Sequence, residues 1–290
     1  MNLKIDVAAT GNKQQIVATI SSNTFVTTAI ASRAAYSKKN PAPESLVGKY
    51  TLYLPPASPT ADAQRDPRGN GIGMLTVKKS GNVIWEGTLA DGTKVAQTEP
   101  LTRNNTWPLF LKLYKNRGVM LGNITMDGSQ PQSDLSGVFN WFKPVVSKDV
   151  YFPLGFRVID ADFFGSKYVP PAKGVRALDG FQDVVNNGRV TIQQGSLLAD
   201  IVRPLTYTAK NKITISNPGV DELALAIDPE TGTLSGSFIH PVSGDATRIK
   251  GVLFQKTDMS FGRFQGSSVP GVNPQTGTVL FESVVAPTGP

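Results

Sequence analysis

The chain contains one histidine, His240, and no cysteine. A Ser-His-Asp or Cys-His mechanism therefore has a single side chain on which to found its general base. His240 stands in FIHPVSG, directly before Pro241 and beside a turn signature. That setting predicts a structural or solvent-facing ring and little effect of an alanine in its place. Zinc hydrolysis is equally poorly served, because the sequence has no HExxH and no cluster of nitrogen ligands. Without cysteine there is no thiolate nucleophile, no disulfide and no cysteine-bound zinc.

Paired carboxylates need no histidine, since glycoside hydrolysis runs on two suitably separated Asp or Glu residues. Asp160 and Asp162, in VIDADFF, share one strand face by alternation and would lie close together. Ordinary solvent-facing alternation, with Val158 and Ile159 beside them, explains the same pattern. Asp127 in MDGSQPQSD and Asp228 in DPETG carry turn signatures, and neither segment supplies the ligand series of an EF-hand loop. RGNGIGMLTV includes GxGxG, but it opens a strand and lacks the following helix that would hold a pyrophosphate. The expectation is a chain with no catalytic residue, no cofactor and no metal.

The formal net charge is +7 over 290 residues, yet the cations are dispersed, in pairs no longer than Lys38-Lys39 and Lys78-Lys79. Such pairs fit solvated strands and turns better than a phosphate track, so no specific nucleic-acid partner is expected. No apolar run approaches the roughly 18 to 20 residues of a membrane-spanning helix, and MNLKIDVAATG has no hydrophobic signal core.

Alternation, rather than helical spacing, dominates the chain. GMLTVKK, VIWEGTLA, TKVAQTEPL, WPLFLKLY and VMLGNITM follow one another through SGN, DG, NNT and KNRG turns, where Gly and Asn tolerate the positive φ of tight hairpins. The second half repeats the scheme in GRVTIQQG, DELALAIDPETGTLSGSF, TRIKGVLFQK, FGRFQGSS and TGTVLFES. GTLSGSFIHP echoes SDLSGVFNWF, which points to duplication. WFKPVVSKDVYFP marks a junction, placing a first domain over 1–147 and a second over 148–290. Less than about a tenth of the chain should be helical.

The most specific internal signal is apolar-x-Gly-x-apolar, at Trp85-Gly87-Leu89, Met120-Gly122-Ile124, Leu135-Gly137-Phe139, Leu234-Gly236-Phe238 and Ile249-Gly251-Leu253. By strand parity each glycine faces the same side as its apolar flankers, which is inward. Repeated glycine within strands suits the coiling and small-large filling of a closed barrel. The expected fold is all-β, two related antiparallel meanders forming small closed or nearly closed β-barrels, with β-sandwiches as the alternative.

Parity also places Trp85, Trp107 and Trp141 in the core, away from any sugar-stacking role. It leaves Phe110, Tyr114 and Phe142 on opposite faces, where they need cover from the other domain, a protein partner or a glycan. The stretch PPASPTADAQRDPRG reads as a long exposed loop able to carry binding.

GKYTLYLPP, GNGIGMLTVKKSGNVIWEGTLADGTKV, WPLFLKLYKNRG, LSGVFNWFKP, YFPLGF and IKGVLFQK together resemble a repeated β-rich module from the C-terminal regions of very large secreted proteins of environmental bacteria. The resemblance spans most of the chain from Asn2 to Ser283, and ADGTKV and LYKNRG are its most specific blocks. It implies an extracellular or cell-surface setting and a non-catalytic structural or adhesive role within a larger protein, with a glycan or another surface protein as partner. A carbohydrate-binding module attached to a secreted enzyme is the alternative. The resemblance carries no site residues, and under it residues 1–46 are compatible with the tail of a preceding unit.

Overall fold

The computed structural model describes residues 2–6, 15–57, 64–268 and 273–284. Among them are 19 strands and two three-residue 3-10 turns, with no α-helix. Among the described residues no helix is long and apolar enough to cross a membrane.

Three sheets form. The first is a small meander of β1 (Asn2–Asp6), β2 (Gln15–Ser21) and β3 (Val26–Ser32). The second takes β4 (Gly48–Leu54), β5 (Gly71–Val77), β6 (Asn82–Thr88), β7 (Lys94–Pro100), β8 (Thr106–Leu113), β9 (Gly118–Met126), β10 (Leu135–Lys143) and β11 (Phe156–Tyr168). The third takes β12 (Gly188–Gln194), β13 (Ile201–Tyr207), β14 (Ile213–Ile215), β15 (Ala224–Asp228), β16 (Thr233–Ile239), β17 (Ala246–Phe254), β18 (Met259–Gln265) and β19 (Thr276–Ser283).

Both large sheets are eight-stranded, antiparallel and nearly closed. Each runs up and down, and its first and last strands pair, β4 with β11 and β12 with β19. The remaining seam lies between sequence neighbours, β7 and β8 in one barrel and β14 and β15 in the other. At the first seam Gln97 Nε2 donates to Pro108 O at 3.3 Å. The two barrels thus share strand number and closure, although the seam follows the fourth strand of one and the third strand of the other.

Period-two alternation produces the two interiors. Along β8 the pattern of burial is strictly in-out, with Trp107, Leu109, Leu111 and Leu113 inside. Trp85, Trp107 and Phe163 meet edge to face at the centre of the first barrel, with ring centroids 5.4 to 5.7 Å apart. In the second, Phe238 and Phe264 form an edge-to-face pair at 5.1 Å, and Phe181, Tyr207 and Phe281 make another cluster. Trp85, Trp107 and Trp141 are at most 4% exposed, as parity requires.

The glycines face inward and allow close approach. A Cβ on Gly137 would lie 2.2 Å from Asn123 O, and one on Gly236 would lie 2.3 Å from Ala224 O and 2.7 Å from a Leu225 methyl. Gly137 sits between buried Leu135 and Phe139, and Gly236 between buried Leu234 and Phe238.

The first sheet continues past the division expected near Ser147, because β11 belongs to it. The Pro-containing run before β11 is not a linker but a cover on the first barrel. Phe152 is buried and packs edge to face on Phe156 at 5.3 Å, and Phe156 packs on Trp141 at 4.5 Å. Passage to the second barrel comes after Tyr168.

Candidate interaction surfaces and the inter-barrel clasp

The barrels meet through the outer faces of β4, β5 and β11 on one side and β17 and β18 on the other. Tyr53, pointing out of β4, lies flat on Phe261 of β18 and edge-on to Phe254 of β17. Beside it, the buried Thr51 hydroxyl donates to Leu253 O at 2.5 Å. The segment expected to be a free binding loop joins the same interface. Gly69 N donates to Thr276 Oγ1 at 3.0 Å, and Asn70 Nδ2 donates to Gly262 O at 2.8 Å. Residues 58–63 of that loop lie outside the described residues.

A buried polar cluster lies in the first barrel next to the junction. Lys143 follows Trp141 by two positions and so turns inward, where its ammonium lies 2.8 Å from Asp91 Oδ2 and 2.7 Å from Asp149 Oδ2. Lys143 and Asp91 side chains are 3% and 0% exposed. Asp91 also accepts from Thr93 N, from Thr93 Oγ1 and, at 2.7 Å, from Tyr114 OH. Tyr114 OH in turn accepts from Trp141 Nε1 at 3.1 Å, and the Lys143 ammonium sits over the Tyr114 ring.

Burial, then the Asp91 charge, raises the Tyr114 hydroxyl far above the phenol range. Burial alone would raise Asp149, but the hydrogen bond from Lys143 and those from the Phe152 and Tyr151 amides outweigh it and hold the carboxyl below its ordinary value. These are the marks of an ammonium fixed by two carboxylates.

The second barrel reaches the residues next to this cluster. Arg263 of β18, 5% exposed, reaches across so that Nη2 donates to Ala90 O at 3.2 Å. Burial lowers its pKa, and the nearby Asp91 charge opposes that change. Tyr151, in the run covering the first barrel, donates its hydroxyl to Gly266 O at 3.0 Å. On the opposite side of the junction Lys256 Nζ lies 2.9 Å from Asp134 Oδ1. The arrangement clasps two barrels together. It leaves the lysine paired on both sides, with no free ammonium for chemistry.

The residues singled out from sequence fall as follows. Phe110 and Phe142 are exposed, at 53% and 44%, on the outer wall of the first barrel. There Phe110 pairs across the ladder with exposed Leu121, and Phe142 with Val119. Neither contributes to the domain interface, which uses Tyr53, Phe254 and Phe261 instead. Tyr114 does not share their surface, because it turns inward to Asp91.

His240 is buried, at 1% exposure, so of the two expected settings, structural or solvent-facing, the ring takes the structural one. It has the same parity as Phe238 and sits at the inward end of β16. Val242 N donates to Nδ1 at 3.3 Å, so the proton on Nε2 is the one directed at Gly195 O, 2.9 Å away. Both ring nitrogens are spent on backbone.

Asp160 and Asp162 are both exposed, and Asp160 occupies an irregularity in the β10–β11 register at φ 49°. Its partner is Asn140, whose Nδ2 lies 3.4 Å from Asp160 Oδ1. Asp127 and Asp228 accept hydrogen bonds from their own turns, at Ser129 and Gln130 and at Glu230 and Thr231. Among the described residues, no group of three or more His, Cys, Asp or Glu is placed to hold a metal.

One concavity lies where the barrels diverge, a cleft of about 530 Å³ between β5, β6 and β7 and the outer faces of β16 and β17. Its lining includes Met74, Glu86 and Lys94 from the first barrel and Ser235, Lys250 and Val252 from the second. Aromatic side chains are absent from that lining. The three Trp side chains are buried, and of the seven Tyr side chains three are buried and four half-buried, all ten being described.

These features define an all-β protein of two nearly closed eight-stranded barrels joined by a buried clasp. No family model matches the chain, and no curated protein matches it. Among solved structures it is similar to the vaccine antigen transferrin binding protein B of Haemophilus parasuis Hp5, determined as a double mutant, at 10% identity and a TM-score of 0.26. That alignment covers 97% of this chain and 64% of the other, so this chain spans less than two thirds of its length.

Proposed function

We propose that this chain is a non-catalytic structural or adhesive module of a larger extracellular or cell-surface protein, acting through its outer surface. The observation that carries the reading is that both barrel interiors are packed with aromatic and aliphatic side chains while the barrels are clasped to each other. A filled interior offers no ligand chamber, and a fixed pair of barrels suits a spacer or a rigid interaction surface. The remaining chemistry is committed elsewhere: His240 bonds to backbone and Lys143 is held by two carboxylates. Glycan binding is the less favoured reading, since stacking platforms are built from exposed Trp and Tyr, whereas here the Trp are buried and the half-buried Tyr36, Tyr53, Tyr114 and Tyr151 are engaged within the molecule.

The test is to coat beads with the purified chain and measure retention under flow on bacterial and host-cell surfaces, alongside a glycan array and a panel of hydrolase substrates. Retention without array signal or turnover is expected. Specific glycan capture would restore the carbohydrate-binding reading, and turnover abolished by one point substitution would overturn the non-catalytic one.

A further inference from the structure

The small N-terminal sheet is attached to the first barrel at one end. Ala34 bridges to Thr102, and Tyr36 OH donates to Asn105 Oδ1 at 2.6 Å. Above that anchor, β3 pairs with β2 on one side, and among the described residues no strand takes its other side. Its side chains are nearly all exposed, Val26 at 73% and Ile30 at 63%, and the adjoining Phe25 is at 49%.

From Gln14 to Ser32 the sequence has no charged residue and no proline. The barrel edges of the same molecule are guarded in the usual ways. β7 carries Lys94, Glu99 and Pro100, and β8 carries Pro108 and Lys112. β14 is three residues long, and the five-residue β15 ends in Asp228. β3 alone among these edges combines length, β-branched side chains and neutrality.

We infer that the β3 edge pairs with the β3 edge of a second copy of this chain, making a continuous antiparallel sheet across a two-fold axis. Antiparallel pairing about Ala29 sets Thr28 opposite Ile30 twice and keeps Val26, Thr28 and Ile30 of both copies on one face. Such an isologous contact closes after two copies rather than propagating. Neutrality suits it as well, because two identical charged edges would place like charges opposite one another.

The experiment uses the full chain in sedimentation velocity and hydrogen exchange over a hundredfold concentration range. Two variants accompany it, Thr28→Lys with Ile30→Lys, and Thr28→Glu with Ile30→Glu. The parent is expected to dimerise, with the β3 amides that face away from β2 protected in step with dimer formation. Each variant alone should show at least about a tenfold weaker self-association from its opposed like charges, and an equimolar mixture of the two should recover dimers. Tryptophan emission, which reports the first barrel, should not change in either variant. A parent that stays monomeric, dimers indifferent to both variants, or protection in the monomer of the β3 amides that face away from β2 would each overturn the inference. Failure of the mixture to associate would overturn the register and, with it, the self-pair.

Discussion

Tyr53 and Phe261 stack face to face, 3.8 Å between ring centroids and 7° from parallel, one ring from each barrel. Each is an outward residue of its own strand, so neither is needed to fill a barrel. Their meeting orients the two barrels relative to each other, and the Thr51 bond to Leu253 O and the Arg263 bond to Ala90 O fix the same junction. Stacked pairs contribute about 0.5–1.5 kcal/mol beyond the area they bury, enough to influence a junction without deciding the fold of either barrel.

The inward glycines make the most direct claim about barrel packing. Gly137→Val and Gly236→Val should each lower stability by about 1–3 kcal/mol or more, because the added Cβ meets backbone oxygen before the methyls are placed. Ser136→Val and Ser235→Val point to the other face and should stay within about 0.5 kcal/mol of the parent. Denaturant midpoints for all four decide it, and a reversed order would invert the assignment of inside and outside.

His240→Ala should destabilise the second barrel by about 1–3 kcal/mol, since it strands Gly195 O and Val242 N and leaves a cavity beside Phe238. Chemical denaturation followed by near-ultraviolet circular dichroism measures this. An unchanged midpoint would show that water replaces both bonds without cost.

Lys143→Met should cost about 3–5 kcal/mol, because buried Asp91 loses its nearest cation. The variant should also alter the acid limb. Asp149 is depressed in the fold, so its contribution is fully present above the unfolded carboxyl value of 3.8 and is lost as pH falls through the lower folded value. Removing the ammonium should move that loss to higher pH, which midpoints collected between about pH 3 and 7 would reveal. Identical acid profiles would contradict the assigned pairing.

Much of this architecture is legible in the sequence because a half-buried strand writes its faces at period two. Trp85, Trp107 and Trp141, the inward glycines and the succession of hairpins all follow from that rule. It also applies to residues that polarity disguises. Lys143 has the parity of Trp141 and His240 that of Phe238, so alternation alone turns both inward, against their usual preference for water. Of the partners that make such burial tolerable, Asp91 and the Gly195 carbonyl stand 52 and 45 residues away and carry no local signal, while Asp149, six residues on, lies in the run that reads as a linker. For the same reason Tyr53 gave no hint of its role, whereas Phe110 and Phe142, equally outward, remain uncovered. β11 was hidden for another reason: the proline-rich run before it resembles a linker, yet Phe152 and Phe156 pack it onto Trp141.

The central claim is that two filled barrels are held as one body. The absence of cysteine lets introduced thiols be the only ones, so spin labels at Lys112→Cys and Lys210→Cys, both on exposed positions, can report the distance between barrels by pulsed electron resonance. The parent should give one narrow distribution, and adding Tyr53→Ala together with Arg263→Met, which removes a ring stack and a hydrogen bond between the barrels, should broaden it. A broad or two-peaked distribution in the parent would contradict a clasped pair.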